Sequence, residues 1–275
     1  MIRGADDGRW PVLLESKNAV VYGGGGRIGG AVAKAFAREG ARVFLAGRVR
    51  EALDKVAGEI ASTGGAAEVA ELDALDEAAV DEHLERVVEV AGTIDVSFNA
   101  IGHGDVHGLP LLELPYEDFF RPVEAAVRSL FLTARAAARH MTRQGSGVIM
   151  AITATTSRQT VPNVGGTAVA FDAIESLCRQ WATELGPSGV RVVWLLTTGI
   201  PEAIAMFDGL FPDYGWWSPP IRRQELLELM EGKTMLGRLT TLEQVGNMAA
   251  FMASDRAGGS TGIGANITGG AAPTR

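Results

Sequence analysis

Three groups of side chains in this chain have the types and spacing to do chemistry. The first is Gly23-Gly24-Gly25-Gly26-Arg27-Ile28-Gly29-Gly30, which follows an apolar run at 19–22 and leads into a helical pattern. Glycines let a backbone turn tightly and approach a pyrophosphate. The free N–H groups at a helix start add the positive end of its dipole. A glycine run alone also serves as a flexible turn; the strand before it and the helix after it make it a nucleotide-binding signal. The second group is His103-x-Asp105-x-His107. Imidazole titrates near neutral pH, so His103 is a candidate acid or base. Two histidines and one carboxylate in a glycine-containing loop are a poor ligand set, so no metal is expected. The third group is Thr153, Thr155, Thr156 and Ser157, which follow an apolar run at 148–153. Thr155 is a candidate to hydrogen-bond a substrate. The alternative is that these hydroxyls satisfy their own loop backbone.

Such groups need a frame. Short apolar runs at 19–22, 43–46, 94–99, 148–153 and 190–196 are bounded by turns and read as buried strands. Segments 28–38, 50–63, 77–91, 116–143, 166–185 and 242–253 read as helices, the first stopped by Gly40. Alternation of strands and helices implies right-handed crossovers and an α/β doubly wound parallel sheet, with ligands at the carboxyl ends of the strands. The stretch 201–233 breaks this rhythm with Phe207, Phe211, Tyr214, Trp216, Trp217, Pro219 and Pro220. It reads either as a flap over a ligand cleft or as a cover on the sheet edge. One domain is expected, with a core at 18–200, the flap at 201–233 and a C-terminal helix and strand at 234–275.

Composition narrows the partners. The 275 residues are 47% hydrophobic and 21% charged, which suits a globular protein with a sizeable core. With 25 basic and 33 acidic residues the net charge is −8, which argues against nucleic acid or an anionic membrane as partner. The lone cysteine, Cys178, excludes an intrachain disulfide and fits a reducing compartment. The first residues carry Asp6, Asp7 and Arg9 without a long apolar run, so no signal peptide is read there. No uncharged apolar stretch reaches the ~18 residues of a membrane span. A cytoplasmic location and a small-molecule substrate are therefore expected.

Together these patterns resemble the short-chain dehydrogenase/reductase family from Val20 to Gly270, almost the whole chain. The turn resembles the family's Thr-Gly-x-x-x-Gly-Ile-Gly, with Tyr22 in place of the threonine and Arg27 in place of the middle glycine. Leu72-Asp73 resembles the family's adenine-contacting aspartate. Asn99-Ala100-Ile101-Gly102 stands where the family has Asn-Asn-Ala-Gly. Gly237-Arg238, Glu243-Gln244-Val245, Ser254-Asp255, Thr261-Gly262 and Gly269-Gly270 match its C-terminal pattern. The resemblance implies a single-domain Rossmann fold. It implies cofactor contacts from Gly23, Gly25, Gly26, Arg27, Ile28, Gly29, Arg48, Asp73, Asn99, Ala100 and Gly102. Arg27 either crowds the phosphates or pairs with one, and guanidinium chemistry favours pairing. After the second strand comes Gly47-Arg48, where an NAD(H) enzyme would place an acidic residue on the ribose hydroxyl. Arg48 suits a 2′-phosphate instead, so NADP(H) is favoured over NAD(H). The plainer alternative is a solvated residue at a helix start.

The family's chemistry uses Asn, Ser, Tyr and Lys. Phe131-Leu132-Thr133 resembles an anchor in the fourth helix that puts the Asn position at Ala126. The run at 148–153 puts Ser at Ala154. Trp181 to Leu185 and Gly189 to Val192 put Tyr at Thr167 and Lys at Phe171. The chain's tyrosines are Tyr22, Tyr116 and Tyr214, none of them in this helix. General acid–base catalysis contributes ~10²–10⁴-fold, so ordinary carbonyl reduction is expected to be severely impaired. Hydride transfer to an activated acceptor does not need a strong acid. The loop carrying His103 faces the substrate cleft in this family, and any acid would come from it, from the Thr155 loop or from the flap. Arg128, Arg158 and Tyr214 are further candidates to hold a substrate carboxylate or oxygen. The fourth and fifth helices resemble the family's subunit-packing pair, which implies a homodimer or homotetramer. The expectation is an atypical NADP(H)-dependent oxidoreductase. The rivals are a non-redox isomerase, cyclase or lyase in the same cleft, or an inactive partner subunit.

Overall fold

The structure is a computed structural model that describes residues 12–204 and 223–273. Seven strands form one parallel sheet: β1 Asn18–Tyr22, β2 Arg42–Gly47, β3 Ala66–Glu71, β4 Val96–Asn99, β5 Gly147–Ala154, β6 Val190–Thr197 and β7 Ile263–Ile267. Their order is β3-β2-β1-β4-β5-β6-β7, and every pairing is parallel. The chain reverses its winding between β1 and β4, which opens a crevice at their carboxyl ends.

Alternation along the strands builds two cores. Ala19, Val21, Val43, Leu45, Val96, Phe98, Val148, Met150, Val193 and Leu195 face one side. They pack there against helices α1 (Arg27–Arg38), α2 (Arg50–Ser62) and α8 (Leu242–Ala253). Val20, Tyr22, Phe44, Ala46, Ile149, Ala151, Val192 and Trp194 face the other. They meet α3 (Glu77–Ala91), α4 (Tyr116–Gln144) and α5 (Thr167–Leu185). A period of two on a sheet covered on both faces gives this division, and it explains why the central strands read as unbroken apolar runs.

The expected helices hold to within a residue or two. The strand expected at 94–99 begins at Val96 instead. Gln144, the last residue of α4, accepts from Ile94 N–H (3.0 Å) and donates to Ile94 C=O (2.9 Å), so Ile94 is satisfied off the ladder. β3 was not legible from the sequence: its Ala-Ala-Glu-Val-Ala-Glu is small and charged, and among the described residues it is an edge strand paired only to β2. Among the described residues of 201–233 there are two short helices: α6 (Pro201–Ile204) and α7 (Arg223–Glu231). A Cβ on Gly199, just after β6, would meet Met230 Cε at 2.2 Å, so α7 packs on the carboxyl end of β6. The aromatic residues expected to form a flap, Phe207 to Trp217, lie outside the described residues. No helix among those described is long and apolar enough to cross a membrane.

Candidate active site

The carboxyl end of β1 turns at once. The N–H groups of Gly23 and Gly24 both donate to Ala46 C=O (2.8 and 3.1 Å), and Gly26 N–H donates to Gly23 C=O (2.9 Å). Gly23 has φ +76°, and a Cβ there would lie 2.4 Å from Ala100 C=O. Only glycine fits both the left-handed backbone and that approach. The turn therefore abuts the start of the loop after β4. It delivers the chain to α1, whose N-terminus carries no side-chain cap. Arg27 is the first residue of α1 and is exposed, and Arg48 stands exposed immediately after β2.

The other residues expected around this turn are placed variously. Asp73 is exposed and accepts from Leu75 N–H (3.0 Å). Asn99 is buried and held internally: its amide donates to Thr133 Oγ1 (3.0 Å) and its carbonyl accepts from Ile101 N–H (3.2 Å). It shapes the loop after β4 from beneath. Tyr22 is fully buried beside His83 (ring centroids 6.2 Å), on the α3 and α4 face of the sheet. Burial, with a smaller contribution from Asp81, raises its phenol beyond any useful acid range.

A second cluster forms where α5 begins. Thr167 is the first residue of α5, and Phe171 follows one turn later on the same helix face. Gly166 lets this end approach α4, since a Cβ there would lie 1.9 Å from Phe119 C=O. Gly108 N–H donates to Asn163 C=O (2.8 Å), which ties the loop after β4 to the segment that enters α5. These contacts bring the His103–His107 loop over Thr167 and Phe171. His103 is buried with its ring edge-on to Phe171 (5.6 Å, 65°). Thr167 Oγ1 lies 2.8 Å from His107 Nε2 and 2.9 Å from Asp105 Oδ1. Burial lowers the pKa of both histidines, and Asp105 opposes the shift. Among the described residues no three His, Cys, Asp or Glu side chains converge to hold a metal ion.

The segment after β5 is organised by a residue the sequence did not flag. Glu175 lies in α5, buried, two turns past Thr167. Its carboxylate accepts from Ser157 (2.9 Å) and Thr153 (3.3 Å), and pairs with Arg158 and more distantly with Arg179 (3.8 Å). Two of the candidate hydroxyls and Arg158 are thus spent on one carboxylate. Thr155 is buried in the short turn that follows β5, where its carbonyl accepts from Arg158 and Gln159 N–H (both 2.8 Å). Thr156 Oγ1 is buried with no hydrogen-bond partner. Ala154 ends β5, Ala126 is fully buried in α4, and Arg128 is exposed. A glutamate at the 167, 171, 175 helical spacing, amid apolar neighbours, was the available signal for Glu175.

Comparison with known proteins fits this geometry. A family profile described as Enoyl-(Acyl carrier protein) reductase matches residues 26–272. The chain belongs to the short-chain dehydrogenase/reductase family. It is 31% identical over 260 residues to 7alpha-hydroxysteroid dehydrogenase of Clostridium sardiniense, covering 94% of each chain. It is 30% identical over 269 residues to L-rhamnose 1-dehydrogenase (NAD(P)(+)) of Azotobacter vinelandii, covering 94% of this chain and 98% of that one. Among solved structures, NAD+-bound xylitol dehydrogenase superimposes with a TM-score of 0.83 at 26% identity, over 94% of this chain and 99% of that one. The family's Rossmann-type sheet is the one seen here.

Proposed function

We propose that the protein is an NADP(H)-dependent oxidoreductase with a non-standard active site, acting on an activated small organic substrate. The observation that carries this reading is an uncapped α1 N-terminus beside a turn with no room for a Cβ, flanked by exposed Arg27 and Arg48. A dinucleotide pyrophosphate fits there: the first N–H groups of α1 are free to donate, and the backbone leaves it a close approach. Neither guanidinium pairs with a carboxylate among the described residues. Arg48 suits a 2′-phosphate, and no acidic residue occupies 47–49 to favour a free ribose hydroxyl. When bound, the nicotinamide supplies or takes up a hydride.

The chain's own residues then limit the chemistry. Counting from the sequence anchors, we read the family's catalytic positions as Ala126, Ala154, Thr167 and Phe171. Neither alanine can hydrogen-bond a substrate oxygen. Phe171 cannot hold a ribose or carry a positive charge. The substrate best served is one that accepts hydride without a strong acid, such as a conjugated enone, an iminium or a quinone-like ring. Self-association as a homodimer or homotetramer is supported by the α4 and α5 surface, where exposed Phe131 meets Trp181 (5.7 Å) and Val169 is also exposed. Phe171 favours a second reading, a non-redox catalyst or an inactive partner subunit, because an apolar ring replaces the family's ribose-holding ammonium.

One titration separates these readings. NADPH and NADH are added to the pure protein, and energy transfer from tryptophan to the nicotinamide is followed. Tight NADPH binding, weakened in Arg48→Ala toward the NADH value, is expected. No binding of either cofactor at millimolar concentration would sink the oxidoreductase reading.

A further inference from the structure

We propose that Asp105, Thr167 and His107 form a proton relay that replaces the missing phenol of this active site. The proposal rests on the oxidoreductase reading above. Thr167 is 5% exposed, His107 is half-buried and Asp105 is exposed, so the chain of groups runs from solvent inward through one buried hydroxyl. The two contacts at Thr167 Oγ1, 2.9 Å to Asp105 and 2.8 Å to His107 Nε2, link residues 62 and 60 positions apart. The relay belongs to the cofactor crevice by position. It joins the loop after β4 to the start of α5, and that loop begins at Ala100, against which the glycine turn is packed.

A hydroxyl has one hydrogen, so it cannot donate to both neighbours. Two arrangements are consistent. In one, His107 Nε2–H donates to Thr167 and Thr167 O–H donates to an ionised Asp105. In the other, a protonated Asp105 donates to Thr167, Thr167 donates to Nε2, and His107 carries its proton on Nδ1. Passing from the second to the first releases one proton at Nδ1. In a carbonyl reduction, that proton would go from His107 to the substrate oxygen, and a bound NADPH would supply the hydride for its carbon and leave as NADP+. Thr167 and His107 each receive one proton and pass one on, His107 taking it at Nε2 and giving it from Nδ1, and Asp105 is recharged from water. The single exposed member is therefore at the end where a proton must enter. Burial disfavours the imidazolium at His107, and neutral imidazole is the form that both donates and accepts.

A structural staple holding the loop on α5 would show the same contacts, so the test compares variants that keep the packing. Thr167→Val removes the hydroxyl at nearly constant shape, and Thr167→Ser restores it. NADPH binding is measured first for each protein, then NADPH oxidation with diacetyl, a carbonyl activated by its neighbour. The relay requires diacetyl turnover by the unaltered protein. It also requires kcat to fall by roughly 10²-fold or more in Thr167→Val, in line with general acid catalysis. The NADPH affinity stays unchanged, and Thr167→Ser returns kcat to within a few-fold. Asp105→Asn should lower kcat without altering the diacetyl KM. A protein that binds NADPH but does not reduce diacetyl, or a Thr167→Val variant with full kcat, overturns the relay. Failure to bind NADPH sinks the oxidoreductase reading instead, and the wiring is then read by ¹⁵N NMR of the His107 ring without cofactor. An Nε2–H tautomer at neutral pH that becomes mixed in Thr167→Val supports the relay. Ring shifts that ignore Thr167→Val overturn it.

Discussion

Gly23→Ala and Gly92→Ala form a matched pair that tests how the nucleotide turn is built. Both glycines lie at positive φ, +76° and +81°, where an L side chain is strained. Alanine in that region costs about 1–2 kcal/mol. Restricting the unfolded chain returns about 0.4–1 kcal/mol at either site. The two differ in their surroundings. A Cβ at Gly92, past the end of α3, meets nothing within 4 Å. A Cβ at Gly23 meets Ala100 C=O at 2.4 Å, and backbone cannot swing aside as a flexible side chain can. Overpacking of that kind costs about 1–3 kcal/mol. Gly92→Ala should therefore be destabilised by no more than about 1.5 kcal/mol, and Gly23→Ala by about 1–3 kcal/mol beyond it. At 2–4 °C per kcal/mol the gap in Tm is roughly 2–12 °C. Urea unfolding and thermal melts at one fixed protein concentration measure it. NADPH titration should show weakened binding in Gly23→Ala alone, because the alanine displaces the loop that begins at Ala100. Equal destabilisation of the two variants, within about 0.5 kcal/mol, would refute the close-approach argument.

Other consequences are as direct. Burial, and secondarily the Arg86 guanidinium, holds His83 down at about 4 from an ordinary 6.5. Its folded form thus binds fewer protons than the unfolded chain between those values, and stability should fall by about 3 kcal/mol as pH drops from 6.5 to 4; urea midpoints should lose most of that slope in His83→Phe. Cys178 is buried and its thiol is pushed up to about 12, chiefly by burial and then by Glu175. It should resist iodoacetamide in the native protein and react fully in urea, as mass spectrometry would show. Gln144→Ala leaves both backbone groups of buried Ile94 without their partner. A loss of about 1–3 kcal/mol in urea unfolding is expected. The double variant Thr167→Tyr with Phe171→Lys should still not reduce cyclohexanone strongly, since Ala126 and Ala154 remain and the added tyrosine displaces the contacts to Asp105 and His107. Robust turnover would show that the two alanines matter little.

Much of the frame was legible in the residues alone. The runs around Val20, Phe44, Ile149 and Val192 announced strands because a strand covered on both faces must be apolar at nearly every position. The glycine run between a strand and a helix announced the turn, since few other sequences permit that backbone. That Thr167 and Phe171 open the fifth helix was equally legible, because that helix ends in a recognisable pattern at Trp181 to Val192. β3 was silent. Its alanines and glutamates have no strand preference of their own, and only pairing with β2 holds them extended.

The sequence by itself determined the fold class and which groups stand at the start of α5. The tertiary structure decided what those groups touch. His103, Asp105 and His107 read as a loop with an acid and a weak metal pattern. The fold gives His103 to Phe171, and gives Asp105 and His107 to Thr167. It likewise spends Ser157, Thr153 and Arg158 on Glu175. Hydrogen bonding is set by distances of a few tenths of an ångström between residues some 60 positions apart. Those distances depend on absent side chains at Gly165, which abuts Val106 C=O, and at Gly166, which abuts Phe119 C=O, and on one backbone bond from Gly108 to Asn163. Periodicity records which face a residue takes, but not which partner the packing brings to it.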